Sequence, residues 1–259
     1  ECADGELAIL YDSALCIGCR ECEMACKACH DLPAEQALPP ELSASRWNLI
    51  RKRPGVDRDE HPFFLQQCMH CTDAACVTVC PTGALHKDER GFVAFDAETC
   101  NGCGYCTQFC PFGVPQLGEV NLMTGAAKAA KCTFCQDRID TGAGGPACVE
   151  ACPTGALSWG DRDTLIEKAK MRVSDLQSEG WTGARLYGAD EAGGLHRLSI
   201  LLDIAPAYGL PTAPGHLVAF AAAWQQVIQP LGGVAVGATG LGLVINWLIA
   251  RRQVKVEKL

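Results

Sequence analysis

Cysteines carry the chemistry of this sequence, and their spacing says which chemistry. Cys100, Cys103, Cys106 and Cys110 form a Cys-x2-Cys-x2-Cys-x3-Cys run closed by Pro111, the bacterial arrangement for ligating a cubane iron–sulfur cluster. Three thiolates two residues apart on a tight loop grip three corners of one cluster. The fourth, ahead of its proline, points away and completes a different one. Cys16, Cys19, Cys22 and Cys26 repeat the spacing, with Lys27 where the proline would stand. Cys68, Cys71, Cys76 and Cys80-Pro81 repeat it with four residues in the middle gap, and Cys132, Cys135, Cys148 and Cys152-Pro153 with twelve. Only the middle loop grows, as expected of an insertion that must keep ligand geometry. These sixteen positions suffice for four [4Fe–4S] clusters, leaving Cys2 and Cys29 of the eighteen cysteines over.

Two blander uses of cysteine fit less well. Disulfides need a geometry that cysteines two residues apart on a tight loop rarely reach, and here three occur in a row. Structural zinc is often held by Cys-x2-Cys pairs. It has no need of a third cysteine at the same step or of a Cys-x3-Cys-Pro ending. Other chemistry is not visible: the six histidines are scattered, with no pair at helical spacing, and neither a dinucleotide fingerprint nor a phosphate-binding loop occurs. No catalytic residue is therefore assigned. His70, inside a cysteine loop, is placed either to hydrogen-bond there or simply at the surface.

The elements that must hold these loops are short. Leu7–Tyr11 reads as a strand feeding the first motif, and Gly91–Phe95 and Leu157–Trp159 as strand-like segments. Cys-Pro-Thr-Gly-Ala-Leu occurs at 80–85 and again at 152–157, which marks an internal duplication. A two-cluster ferredoxin unit is built from two motifs that exchange fourth ligands, so four motifs imply two units. The adjacent second and third motifs (68–110) form one, leaving 16–26 with 132–152 for the other. The expected class is α+β. Residues 27–67 form a long insertion carrying Leu38-Pro39-Pro40, Trp47 and the basic trio Arg51, Lys52 and Arg53, which faces either a partner or solvent. Residues 161–179 read as a packing helix. Thr164 and Glu167 form a capping box, Leu165, Ala169, Val173 and Leu176 an apolar stripe, and Gly180 the stop.

With 259 residues the chain supports one to two domains with real cores. A net charge of −8 argues against nucleic acid as a partner. A mean hydropathy near zero (+0.07) conceals a polar, cysteine-rich body and an apolar tail. Leu231–Ala250 is uncharged and long enough to cross a bilayer core. Trp224 and Trp247 are spaced along such a helix as expected of interfacial anchors at the two faces. Arg251, Arg252, Lys255 and Lys258 follow, against only Glu257, so the positive-inside rule places the C-terminus in the cytoplasm and the cysteine body on the opposite, periplasmic face. Gly233, Gly237, Gly240 and Gly242 give the span a small-residue face suited to a partner helix. Residues 1–15 show no secretory signal pattern. The expected organisation is a four-cluster domain over 1–160, a helix and connecting segment over 161–216, and a membrane anchor with a basic tail over 217–259.

The four-motif order and terminal span resemble the iron–sulfur (beta) subunit of membrane-bound respiratory formate dehydrogenases. The likeness covers nearly the whole chain. Beyond the cysteines it rests on Leu42-Ser-Ala-Ser-Arg-Trp47, Lys131-Cys-Thr-Phe-Cys135-Gln-Asp-Arg138, Gly193-Gly-Leu-His196, Tyr208-Gly-Leu-Pro211, and Trp224 with Pro230. Nitrate and dimethyl sulfoxide reductase subunits replace a third-motif cysteine with tryptophan; Cys103 is intact. The resemblance implies two ferredoxin-like units with ligands crossing between motifs: Cys16, Cys19, Cys22 with Cys152; Cys132, Cys135, Cys148 with Cys26; Cys68, Cys71, Cys76 with Cys110; and Cys100, Cys103, Cys106 with Cys80. It also implies a catalytic partner carrying a molybdenum or tungsten bis-pterin centre and a membrane cytochrome b that passes electrons to quinone in anaerobic respiration. Export would follow a twin-arginine signal on the catalytic partner. The chain itself would be a non-catalytic electron carrier. The equivalent subunit of a membrane-bound nickel–iron hydrogenase is the alternative.

Overall fold

The computed structural model describes residues 5–33, 41–53, 61–121 and 126–253. Ten short strands and eight helices follow one another through them. The first part runs β1 (Leu7–Asp12), α1 (Glu21–Cys29), β2 (Leu49–Lys52), β3 (Phe63–Gln66), α2 (Ala75–Thr78), β4 (Leu85–Lys87), β5 (Val93–Phe95) and α3 (Tyr105–Phe109). The second runs β6 (Gln116–Asn121), β7 (Ala126–Ala130), α4 (Gln136–Asp140), α5 (Ala147–Glu150), β8 (Leu157–Asp161), α6 (Arg162–Ser178), β9 (Arg185–Tyr187), β10 (Arg197–Leu201), α7 (Gly215–Ala223) and α8 (Gln229–Gln253).

One four-stranded sheet, ordered β8-β1-β10-β9, divides the body. β1 lies antiparallel to β8, with Ile9 opposite Trp159, and parallel to β10, with Ile9 opposite Arg197. Because side chains alternate along a strand, β1 serves two cores, and all six of its residues are buried. Ile9 and Tyr11 join Phe64, Leu65, Phe92, Phe134 and Leu195 on the side of the cysteine loops. Ala8 and Leu10 join Leu165, Ala169, Leu176, Leu198 and Ile200 beneath α6. Three two-stranded ribbons, β2-β3, β4-β5 and β6-β7, complete the cysteine-rich body. The strands expected at Leu7, Gly91 and Leu157 are present, whereas β9 and β10 escaped a reading that saw only a helix and a connection after 161.

The helix expected at 161–179 forms, but its cap differs. Asp161 rather than Thr164 is the N-cap: its side chain accepts from the Thr164 N–H at 2.8 Å and from the Thr164 hydroxyl at 2.7 Å. An aspartate at the end of β8 meets the free N–H groups of the first turn better than a threonine already inside the helix. Leu165, Ala169 and Leu176 bury the apolar stripe, with Val173 at its edge.

The basic trio splits. Arg51 and Lys52 are exposed, but Arg53 is buried, its guanidinium 5.0 Å from the Tyr208 ring centre and 3.7 Å from an Asp203 carboxylate oxygen. It ties the β2 end of the insertion to the segment after β10, so neither a solvated nor a partner-facing role fits it. Leu38-Pro39-Pro40 lies outside the described residues.

Ala219–Arg251 is one continuous helical stretch long and apolar enough to cross a membrane by length and composition. Only its first turns touch the body, where Ala221 is fully buried, and its most apolar segment is not buried at all. Its entry contains a π-helical turn at Trp224–Ile228 just before Pro230. Proline lacks an N–H and its ring collides with the carbonyl four residues back, and a wider turn relieves both. Trp224 is no free anchor: its ring stands 6.1 Å from Phe109 and 6.5 Å from Tyr105, so it fastens the helix to α3. Trp247 is exposed, with the Arg251 guanidinium 5.1 Å above it. Among the described residues, nothing comes within 4 Å of a side chain built at Gly233, Gly237, Gly240 or Gly242. Lys255, Glu257 and Lys258 lie outside the described residues.

Candidate metal centres

The first Cys-x2-Cys pair of each motif closes a loop of the same shape. The residue just before the second cysteine is left-handed in all four: Gly18 (φ 72°), His70 (φ 46°), Gly102 (φ 72°) and Phe134 (φ 62°). Glycine takes this conformation freely, but histidine and phenylalanine are strained there by roughly 1–3 kcal/mol each, a cost met at functional sites. The left-handed residue curls the loop so that both thiols face one side. The second half of each motif is helical. In the first and third motifs a left-handed residue after the second cysteine, Arg20 or Gly104, starts α1 or α3. In the second and fourth, α2 and α5 carry Cys76 and Cys148. α1 packs on α5, and α2 on α3.

The thiols gather in four places. Cys16, Cys19, Cys22 and Cys152 line one cavity, and Cys80, Cys100, Cys103 and Cys106 line another. Burial, then the charges of Cys132, Cys148 and Cys135, push Cys26 well above its ordinary value. Burial, then Cys68, Cys110 and Cys76, do the same to Cys71. Burial raises Cys132, Cys135 and Cys148 to about 12, with neighbouring thiols adding to it. Burial raises Cys106 and Cys110 to about 11, helped at Cys106 by Cys103, Cys100 and Cys80. The four gatherings also lie close enough to influence one another electrostatically in sequence. Cys148 reaches Cys22, Cys68 reaches Cys132, and Cys106 reaches Cys76, each raising its neighbour.

This donor set fits iron–sulfur clusters. Every described cysteine is a free thiol, even where several crowd together. Buried thiols massed in fours would repel once ionised, and a polynuclear cation removes that repulsion. The surroundings supply positive charge as well. Lys87 Nζ donates to the Cys71 carbonyl at 2.9 Å, Lys128 Nζ to the Cys100 carbonyl at 2.6 Å, and Lys131 Nζ to the Cys132 carbonyl at 2.9 Å. Arg197 is fully buried, stacked over Tyr11 at 4.9 Å, and its charge lowers the Cys148 thiol against the opposing effect of burial. Burial brings Arg197 itself down to about 10, against the pull of Tyr11 and of Cys148, Cys132 and Cys22.

Direct contacts reach the sulfurs too. The Thr82 hydroxyl lies 3.7 Å from Cys80 Sγ and the Thr154 hydroxyl 3.8 Å from Cys152 Sγ, the same contact in both copies of the repeated hexapeptide. Burial raises Cys80, but the Leu85, Thr82 and Ala84 N–H groups and the Thr82 hydroxyl bring it below its ordinary value. His70 is buried; its Nδ1 accepts the Val93 N–H at 3.2 Å, which leaves Nε2 as the protonated nitrogen. It is not a surface histidine. Lys87, Lys128 and Arg197 were not singled out from the sequence. The only signal was that each is a cation within a short strand, Lys87 ending β4, Lys128 in the middle of β7 and Arg197 opening β10, too common to be read.

Comparison with known proteins agrees with this geometry. Two models of the 4Fe-4S dicluster domain match, over residues 15–85 and 60–162. A formate dehydrogenase iron-sulfur subunit from Haemophilus influenzae is 34% identical over 94% of this chain and 80% of its own length. The nitrate-inducible formate dehydrogenase iron-sulfur subunit of Escherichia coli K12 is 34% identical over 94% of this chain and 85% of its own. The hydrogenase-2 operon protein HybA of Escherichia coli O157:H7 is 38% identical, but over 66% of this chain and 56% of its own. With ferredoxin-like 4Fe-4S domains, clustered free thiols and relatives of this kind along nearly its whole length, the chain belongs to the family of formate dehydrogenase iron–sulfur subunits.

Proposed function

We propose that this chain holds four [4Fe–4S] clusters and relays electrons singly from a catalytic molybdenum or tungsten formate dehydrogenase subunit to a membrane cytochrome b and quinone. The observation that carries this reading is the order of the cysteine groups. Cys16, Cys19, Cys22 and Cys152 neighbour Cys26, Cys132, Cys135 and Cys148; next come Cys68, Cys71, Cys76 and Cys110, and finally Cys80, Cys100, Cys103 and Cys106. Bound there, such clusters supply one-electron redox chemistry with potentials set by burial, charge and hydrogen bonds. The protein's part is to ionise and aim the thiols, exclude water with the apolar residues between the groups, and offset negative charge with Lys87, Lys131 and Arg197.

The end of the row bearing Cys80, Cys100, Cys103 and Cys106 adjoins the apolar helix. Phe109, Ala75 and Val79 pack against Ala221 and Trp224 there, which makes it the end we assign to the membrane partner. The opposite end, at Cys16 and Cys19, is left for the catalytic partner. The helix would span the bacterial inner membrane once, with the cysteine body on the periplasmic side, the C-terminus in the cytoplasm, and the open glycine face against a helix of the cytochrome.

The equivalent hydrogenase subunit is the second reading, since HybA is related, but that likeness stops at two thirds of this chain. Purifying the chain with its natural partners and supplying formate or hydrogen separates the two. Formate-dependent reduction of a quinone analogue is expected, together with close to sixteen iron atoms per copy of this chain beyond those of its partners' own cofactors. Hydrogen oxidation without formate oxidation would overturn the assignment of substrate, and iron well below that count would overturn the four-cluster relay.

A further inference from the structure

At the C-terminal end of α1, three side chains of ligand chemistry converge. The ligand atoms of Cys29, His30 and Cys135 all lie within 4.8 Å of one another. The sequence left Cys29 and His30 without a role, and the relay just proposed needs only Cys135. His30 is the C-cap of α1, while Cys135 is the left-handed N-cap of α4, so two helix ends meet sulfur to imidazole. His30 Nε2 stands 3.6 Å from Cys135 Sγ. The ring is fixed from its other side by Trp47, 4.7 Å between ring centres, and Trp47 is held by its indole N–H donating to the Ala44 carbonyl at 2.9 Å. The insertion therefore has a job at this corner: it carries the tryptophan that sets the imidazole.

We propose that His30 is a positioned hydrogen-bond donor to the Cys135 sulfur and raises the reduction potential of the centre held by Cys26, Cys132, Cys135 and Cys148. The inference rests on the cluster assignment above. An N–H aimed at a ligand sulfur stabilises the electron-rich, reduced state more than the oxidised one, because reduction adds negative charge that the sulfur shares. The effect is confined to the centre that owns the sulfur. A cysteine beside the ligand also raises the question of which thiol holds that corner. Cys135 lies on the Cys-x2-Cys loop with Cys132, and Cys29 lies off it, at the last residue of α1.

The test uses the complete complex, with iron content and EPR-monitored redox titration on the same samples. His30→Phe keeps a ring against Trp47 and removes the donor, and His30→Gln keeps a donor. With iron content unchanged, His30→Phe is expected to lower one midpoint by roughly tenfold in its one-electron equilibrium, ~59 mV, with the others unmoved and His30→Gln restoring most of it. No shift in any midpoint, or an equal shift in all, overturns the role of His30. If His30→Phe fails to load, [15N]histidine labelling of the unaltered complex decides. A histidine nitrogen coupled to that one reduced centre supports the bond, and its absence overturns it. Cys29→Ala is expected to keep its iron and the same midpoints; loss of one cluster's iron would place Cys29, not Cys135, at the corner and sink the proposal. A low iron count in every variant and in the unaltered protein would instead count against the cluster assignment itself.

Discussion

Gly102 shows how narrowly the loops are drawn. A Cβ built on it would lie 2.2 Å from the Ala127 carbonyl oxygen on β7, at a φ of 72° that side chains resist. Backbone cannot yield as a side-chain tip does. Gly102→Ala is therefore expected to displace the loop between Cys100 and Cys103, losing iron from that centre and several degrees of thermal stability, on the order of 2–4 kcal/mol when conformational strain and clash combine. Iron analysis with a melting curve checks it; an alanine variant with full iron and unchanged melting would show that the loop is more forgiving than drawn. The contrast with His70 and Phe134 is instructive. They occupy the equivalent place and bear the strain, because their rings build the core: Phe92 and Phe134 stack at 4.7 Å, with His70 edge-on to both.

Among the elements, α1 and the insertion are joined by a buried ion pair. Glu23 and Arg46 are both buried and in contact, and a Glu23 oxygen also accepts the Ile50 N–H at 2.7 Å. Removing one partner leaves the other charged in an apolar setting, which costs roughly 3–5 kcal/mol. Arg46→Met is thus expected to destabilise the protein by about that much, read by denaturant unfolding of the purified protein. A loss under about 1 kcal/mol would mean Glu23 is satisfied without it. On the other side of the sheet, Leu176 is 1% exposed in the second core, beside Ala184 and Leu202. Leu176→Ala removes buried methyl groups from a core cluster that contains no cysteine, at about 2–5 kcal/mol. It is expected to lower melting while leaving iron content and midpoints alone; a change in midpoints would show that α6 reaches the cysteine body.

For the molecule as a whole, the crowded thiols set a dependence on pH. Their ordinary value is 9.0, and the fold raises several to about 11 or 12, chiefly by burial. A thiol raised in the folded state stays protonated there when the unfolded chain has already ionised. Its contribution to stability is complete below the unfolded value and is lost as pH rises toward the folded one. The iron-free protein is accordingly expected to lose melting temperature between about pH 9 and pH 11–12. The loaded protein, whose thiolates are already deprotonated and neutralised, is expected to change far less across that window. Parallel melts of both forms against pH check this. An iron-free form with a flat profile there would mean that its thiols are not buried together.

The four cysteine motifs, the repeated hexapeptide, the α6 stripe and the apolar tail were all legible in the residues, because each is a short-range pattern: spacing along a loop, periodicity along a helix, an uncharged run of fixed length. Chain order alone left several facts undetermined. Arg53 turned inward, Trp224 became a fastening on α3, Asp161 took the cap from Thr164, and His70 was buried. β9 and β10 completed a sheet begun some 185 residues earlier, with β10 lying parallel to β1. In the same way His30 met Cys135 across 105 positions of sequence. Spacing fixes which groups can do chemistry because ligand geometry is local. Which charges and rings surround those groups is decided by packing, where residues far apart in the chain share one volume and only the folded backbone says which of them meet.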